Sequence, residues 1–137
     1  MQDHVSTSAA TLSFPDQVSD DDKNTAMLLH LVTIGVAVFT AGLGDILVPA
    51  VAYVLLGNRS AFVKDHIREQ LNFQLTFLAV SVAAVVLAVM TFGIGLIVAV
   101  PVLAVLWIAD IVCSVVAALR ARDGLAYAFP FTIRFLK

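Results

Sequence analysis

Residues 70–109 contain no aspartate, glutamate, lysine or arginine, and this run of forty residues is the feature that most constrains the fold. As a helix it would be about 60 Å long, which is close to two crossings of a hydrocarbon core of about 30 Å. Residues 91–95, at its middle, have the sequence TFGIG and supply a turn. We therefore predict a long transmembrane hairpin whose second helix continues past Pro101 and Asp110 to Leu119.

The composition of the 137-residue chain excludes an ordinary soluble domain. Hydrophobic residues make up 61% and charged residues 13%, and the mean hydropathy is +0.98, whereas soluble domains carry about 25% charged residues. The net charge of -2 gives no basic surface for nucleic acid. The sequence thus predicts an all-α, polytopic helical membrane protein whose immediate partner is the lipid bilayer.

A second apolar region, nearer the amino terminus, is interrupted at residues 42–45 and predicts two short helices. The first, over residues 26–41, would be about 24 Å long, and the second, over residues 46–56, about 17 Å, so neither spans the bilayer comfortably. Asp45 is expected to cap the second helix, and Pro49 falls in its first turn. The two helices form either a shallow hairpin that returns to its starting side or one broken helix that crosses once.

The flanking segments differ from this apolar body. Residues 1–25 are polar and acidic and are predicted to be a disordered tail, although Ser19 and the three aspartates after it predict a helix start near residue 20. This segment lacks the apolar stretch of a signal peptide. Residues 26–123 are predicted to form the transmembrane domain. Residues 124–137, with alternating aromatic residues, are predicted to lie at the membrane interface or against the cytoplasmic helix ends.

Positive charges predict the orientation. Residues 59–68 hold three lysine or arginine residues and residues 120–137 hold four, whereas the turn at residues 91–95 holds none. Since basic loops stay on the cytoplasmic side, we place both segments in the cytoplasm of a bacterium and the protein in its cytoplasmic (inner) membrane. A hairpin would leave the amino terminus inside, and a broken crossing would leave it outside.

Helical spacing predicts two faces that pack against each other. Steps of three and four residues define a stripe on each long segment, and small residues at such positions let helices approach closely. The first stripe is Asp65, Arg68, Glu69, Asn72, Thr76, Ala79 and Ala83; the second is Asp110, Ser114, Ala117, Ala118 and Ala121.

Asp110 is the most informative single residue, because it lies about 15 Å of helix inside Arg120, where an unpaired carboxylate is costly. Three roles are open for Asp110. It could belong to an ion or proton pathway, it could contact a partner helix, or it could form a hydrogen bond to Thr76 or Asn72. His30 is expected to make a packing or headgroup contact. The candidate intramembrane or interface polar residues are Asp110, Asn72, Thr76, Arg68, Glu69, Asp65, His30, Asp45 and Arg134.

No pattern in the sequence indicates catalysis. His66 and Glu69 could share one metal-facing side of a helix, but they have no third ligand, and no nucleophile with a base or phosphate loop is visible. Arg134 is expected to meet Asp65, Glu69 or a lipid phosphate. We predict no catalytic residues, no metal and no cofactor.

Two stretches resemble a known family, residues 62–74 (FVKDHIREQLNFQ) and residues 129–135 (FPFTIRF). They resemble the signatures of a family of small bacterial integral membrane proteins of unknown function, and His30 and Pro49 also fit, so the resemblance covers residues 26–137. Ile67 departs from the alanine or glycine that is common there. That family is remotely similar to the small membrane subunit of the chloroplast inner-envelope protein-import translocon, which implies four helices and no enzymatic activity.

Two functions follow as hypotheses. The first is a non-enzymatic accessory or assembly subunit that acts through helix contacts, as a homo-oligomer or with a partner membrane protein. The second is an oligomeric channel or translocation component, suggested by Asp45 and Asp110 at membrane depth. One chain of this length can hardly enclose a pore, so the second function requires assembly.

Overall fold

The computed structural model describes residues 18–137 and shows four helices, with no strand among those residues. They are α1 (Asp20–Thr40), α2 (Leu47–Leu56), α3 (Ala61–Met90) and α4 (Leu96–Arg122). The predicted all-α class is confirmed. Most of the predicted acidic tail, residues 1–17, lies outside the described residues.

Helix α1 begins where the sequence predicts. The Ser19 hydroxyl accepts a hydrogen bond from the Asp22 N–H at 3.2 Å, and Asp20, Asp21 and Asp22 occupy the first turn, where carboxylates favour the positive end of the helix dipole. Because residues 20–25 are helical, α1 has 21 residues. The first helix is thus longer than the predicted residues 26–41, and by length and composition α1, α3 and α4 could each cross a membrane.

The connection between α1 and α2 corrects the role of Asp45. Helix α2 has Ile46 at its amino-terminal cap and no side-chain cap bond. Backbone carbonyls take over this role, since the N–H groups of Leu47 and Val48 donate to the carbonyls of Gly44 and Asp45 at 3.1 Å. The Asp45 side chain is thereby free to turn inward, where it is only 1% exposed. Pro49 lies in the first turn and Gly57 ends the helix, as predicted.

Helices α1 and α2 form a hairpin. Arg59 Nε donates to Asp22 Oδ1 at 2.9 Å, which brings the start of α3 beside the start of α1. Two apolar helices that leave and return to one end cannot be a single broken crossing. The ten residues of α2, about 15 Å of helix, cover only part of the distance from the end of α1 back to the start of α3.

Helices α3 and α4 form the long hairpin. They have 30 and 27 residues, about 45 and 40 Å of helix, and Pro101 lies within α4 without ending it. The turn falls at residues 91–95 as predicted. It needs left-handed backbone at Phe92 (φ 51°) and Gly93 (φ 91°), a conformation that glycine adopts without steric cost.

The tip of the α1–α2 hairpin reaches only part of the way along α3 and α4. Trp107 Nε1 donates to the Ala37 carbonyl at 3.0 Å, and Gly42 lies against Phe77 and Trp107. Phe77 and Trp107 are both near the middle of their helices. Beyond them, α3 and α4 are exposed, with Val85, Val89 and Phe92 all more than half accessible. The bundle is therefore three to four helices thick at its charged end and two helices thick at the other.

The predicted α3–α4 interface is correct for α4 and partly wrong for α3. Asp110, Ser114, Ala117, Ala118 and Ala121 are all buried, and α4 packs against α1 as well as α3. On α3, however, Ala79 and Ala83 are exposed. The buried face of α3 lies one step around the helix, through His66, Gln70, Gln74, Phe77 and Ser81.

Candidate functional site

Polar side chains from α1, α3 and α4 meet inside the bundle. His66, Gln70 and Gln74 follow one another at steps of four on α3, so they lie on one face. His30 from α1 and Asp110 from α4 meet this face, and each of the five is no more than 1% exposed. We call this group, together with Asp45 and Ser114, the buried polar chain.

One end of the buried polar chain is a histidine pair. His66 Nε2 lies 3.1 Å from the Leu125 carbonyl oxygen, and its Nδ1 lies 3.0 Å from His30 Nε2. His30 Nδ1 lies 2.7 Å from Gln70 Oε1. The two rings meet edge to face, with centroids 5.2 Å apart. His30 thus fixes α1 to α3, so of the two expected roles it has a packing contact inside the bundle and not a headgroup contact.

The other end joins two carboxyl groups. Gln74 Nε2 donates to Asp45 Oδ2 and to Asp110 Oδ1, both at 3.0 Å. The predicted partners of Asp110, Thr76 and Asn72, are wrong; its partners are Gln74 and Ser114, whose hydroxyl donates to Asp110 Oδ1 at 3.4 Å. Two carboxyl groups that share one buried donor cannot both be ionised without a large electrostatic cost.

Gln70 connects the two ends. Its Nε2 lies 3.4 Å from the Ser114 hydroxyl, while its Oε1 faces His30. A continuous series of polar contacts therefore runs from the Leu125 carbonyl at the charged end to Asp45 at the tip of the α1–α2 hairpin. In the part of the chain that the structure describes, Asp45 Oδ1, Gln74 Oε1 and Ser81 Oγ are buried side-chain atoms without a hydrogen-bond partner.

A second group of predicted residues holds the carboxyl-terminal segment against α3. The Asn72 side chain donates to the Leu136 carbonyl at 2.9 Å and accepts from the Leu136 N–H at 2.7 Å. Thr76 Oγ1 accepts from the Ile133 N–H at 3.0 Å. Glu69 pairs with Arg134 at 3.2 Å and accepts from the Phe129 N–H. Of the three partners expected for Arg134, Glu69 is the one that it contacts.

Asp65 and Arg68 stand apart from both groups. They pair with each other at 2.8 Å across one turn of α3. The nine sequence candidates thus fall into three places: the buried polar chain (His30, Asp45 and Asp110), the carboxyl-terminal contact (Glu69, Asn72, Thr76 and Arg134) and this half-buried ion pair.

Tyr127 lies in the carboxyl-terminal segment, outside the spanning helices, and is linked to His30 through Phe129, whose ring centroid is 6.1 Å from that of His30. The Tyr127 ring packs against Phe129, with centroids 5.0 Å apart. Burial raises the pKa of Tyr127 to about 12, and contact with the Cys113 thiol acts in the same direction. The phenol is therefore neutral at physiological pH and adds no negative charge near the histidine pair.

Sequence reasoning missed Gln70 and Gln74, and it placed Ser114 on the packing face of α4 with Asp110 without naming it as a site residue. The available signal was the spacing of four between His66, Gln70 and Gln74 across the start of the neutral run, because polar residues at that spacing share one helix face. Within residues 18–137, no three His, Cys, Asp or Glu side chains come together to hold a metal ion. His66 and Glu69 have other partners, Leu125 and Arg134.

These features define a helical integral membrane protein with a polar core at one end of an otherwise apolar bundle. The chain belongs to the magnetosome magnetite crystal formation protein family (MamF/MmsF), whose model matches residues 21–136. This family membership confirms the predicted class of small bacterial membrane protein. The expected remote similarity to a translocon subunit has no support from the comparisons. No curated protein and no solved structure matches the chain.

Proposed function

We propose that this chain serves magnetite crystal formation as a non-enzymatic accessory or assembly protein in a bacterial membrane. The observation that carries the proposal is the family match, which extends from the first turn of α1 to the penultimate residue and so includes every element of the site. Its membrane is either the cytoplasmic membrane or that of the magnetosome, with the carboxyl terminus in the cytoplasm.

The proposed contact surface is the outer half of α3 and α4, beyond Phe77 and Trp107. Ala79 and Ala83 are exposed there. A groove of about 430 Å³ between the two helices is lined in part by Ala84, Ala88 and Gly93. Small residues allow a further helix to approach closely in lipid, so this surface suits a second copy or a partner membrane protein.

Complementation tests the proposal. A magnetite-forming host that lacks its own member of the family would receive this chain, and crystal size would be measured by electron microscopy. We expect the chain to restore crystal size, and Ala83→Phe to reduce both the restoration and the cross-linking of the protein to its partner. Val51→Phe, on the exposed face of α2, is the matched control and should restore fully. Crystals that are unchanged by the chain would contradict the proposal.

The second candidate function, an oligomeric channel or translocation component, is favoured by the Asp45 and Asp110 carboxyl groups at membrane depth. Purified protein in liposomes would then give ion or solute flux that Asp110→Asn alters. Flux equal to that of empty liposomes would contradict a channel and leave the accessory role in place.

A further inference from the structure

The ring nitrogens of His30 and His66 make three contacts that each need a proton, whereas two neutral imidazoles carry only two protons. His66 Nε2 faces the Leu125 carbonyl, and His30 Nδ1 faces the carbonyl oxygen of Gln70. Since both carbonyls are acceptors, each of these ring nitrogens must carry a proton. The contact at 3.0 Å between His30 Nε2 and His66 Nδ1 then needs a third proton. Two neutral imidazoles carry two protons, so this arrangement has one positive charge shared by the two rings.

A second arrangement of the same heavy atoms removes that charge. If the Gln70 amide turns over, its N–H donates to His30 Nδ1 and its carbonyl oxygen accepts from the Ser114 hydroxyl. His30 Nε2 then donates to His66 Nδ1, and both rings are neutral. Ser114 then no longer donates to Asp110, and the 3.4 Å contact between their oxygens is kept when Asp110 carries a proton and donates it to Ser114 Oγ.

The two arrangements differ in the place of one proton. In the first, Asp110 is ionised and the histidine pair is charged; in the second, Asp110 is protonated and the pair is neutral. The O–H bond of Asp110 breaks as an N–H bond of the pair forms, the Gln70 amide turns over and the Ser114 hydroxyl reverses. The total charge does not change, and no other bond is made or broken.

We propose that His30, His66 and Asp110 form one buried proton-binding site, in which a single proton resides either on Asp110 or between the two imidazoles, with Gln70 and Ser114 as the connecting groups. The ligand is a proton, and each state satisfies the same set of contacts. This inference is independent of the proposed role in crystal formation.

Each element around the site has a limited set of charged or titratable groups. On α3, Glu69 follows His66 by three residues and is paired with Arg134. In the α1–α2 turn, Asp45 is bound to Gln74 and also faces the Asp110 carboxyl group directly. Because the two buried carboxyl groups cannot both be ionised without a large cost, Asp45 keeps its own proton in both arrangements. The titratable residue of α2, Tyr53, is exposed. On α4 and in the carboxyl-terminal segment, Cys113 and Tyr127 lie close to each other. The Asp110 carboxyl group is thus connected to the histidine pair through Ser114 and Gln70. Glu69 is neutralised by Arg134 instead.

Nitrogen-15 NMR of histidine-labelled full-length protein in lipid nanodiscs tests the site. The ring-nitrogen shifts of His30 and His66 would be followed against pH, with His4 identified by His4→Gln. We expect the pair to gain one proton in a single shared step. Asp110→Asn, which cannot hold an ionised carboxylate, should lower the midpoint of that step by about one pH unit, a tenfold loss of proton affinity.

Two further variants keep the test decisive. Ser114→Ala cuts the connection and should also lower the midpoint, and it serves if Asp110→Asn fails to fold by circular dichroism. Asp65→Asn is the control. It removes a carboxylate that lies near His66 on α3 but pairs with Arg68, so it should leave the midpoint unchanged. Two independent steps, one for each ring, or a midpoint that is the same in wild type, Asp110→Asn and Ser114→Ala, would overturn the proposal.

Discussion

At the residue scale, Gln74 is the donor on which two buried carboxyl groups depend. Its amide nitrogen lies 3.0 Å from an oxygen of Asp45 and 3.0 Å from an oxygen of Asp110. It therefore ties the tip of the α1–α2 hairpin to α4 through α3. In a low-dielectric interior the loss of such a donor leaves polar atoms unsatisfied, and that cost exceeds the net gain from one hydrogen bond.

We expect Gln74→Leu to lower the free energy of unfolding by about 1–3 kcal/mol, because Asp45 and Asp110 would keep their burial and lose their shared donor. The measurement is reversible unfolding by SDS in mixed micelles. Val82→Leu, at an exposed position on the same helix, is the control and should change the stability little. Equal stabilities of the two variants would show that Gln74 does not hold these elements together.

At the element scale, the α1–α2 turn depends on a close approach at Gly42. Its φ is +80°, and a Cβ there would lie 3.0 Å from Phe77 and 3.1 Å from Trp107. A side chain at this position would meet both backbone strain and two aromatic rings. Gly35, within α1, has no atom within 4 Å of the place where a Cβ would stand.

The two glycines therefore predict opposite effects of the same substitution. Gly42→Ala should destabilise the protein by about 1 kcal/mol or more, as expected for a strained positive-φ position. Gly35→Ala should stabilise it by about 0.5–1 kcal/mol, since alanine favours a helix interior. Thermal unfolding in detergent compares them. A Gly42→Ala variant as stable as Gly35→Ala would be inconsistent with the tight contact at the hairpin tip.

The carboxyl-terminal segment depends on Asn72, which donates to and accepts from the backbone of Leu136. Asn72→Ala should release residues 135–137 from α3, while Thr76 and Glu69 still hold Ile133 and Arg134 and the helices remain folded. Amide hydrogen exchange at Leu136 measures this release, and exchange should become faster in the variant. Asn58→Ala, in the exposed turn before α3, should leave it unchanged. Unaltered protection at Leu136 in Asn72→Ala would contradict the contact.

The sequence predicted local features better than distant pairings. The α3–α4 turn, the Ser19 cap and the end of α2 follow from glycine, a capping hydroxyl and run length, all of which are local. Asp45 was misassigned as a cap because its actual partner, Gln74, lies 29 residues away. Gln70 and Gln74 escaped notice because a count of charges includes them in the neutral run of residues 70–109, and their partners on α1 and α4 become evident only in the folded bundle.

At the scale of the whole molecule, the charged ends of α1, α3 and α4 lie together and the α3–α4 turn lies opposite. Labelling of single cysteines in a Cys113→Ser background tests this arrangement. A membrane-impermeant maleimide added to spheroplasts should label Ile94→Cys and should spare Asn58→Cys and Ser8→Cys, because the Asp22–Arg59 pair places the start of α1 beside Asn58. External labelling of Asn58→Cys would reverse the proposed orientation.

The central claim is that lipid surrounds the apolar faces of α1, α3 and α4, whose backbone polar groups bond within each helix. The most direct test is alkaline carbonate extraction of membranes from cells that express the full chain, followed by ultracentrifugation. The account predicts that the protein stays in the pellet and is released only by detergent. Recovery of folded, monodisperse protein in the detergent-free supernatant would contradict it.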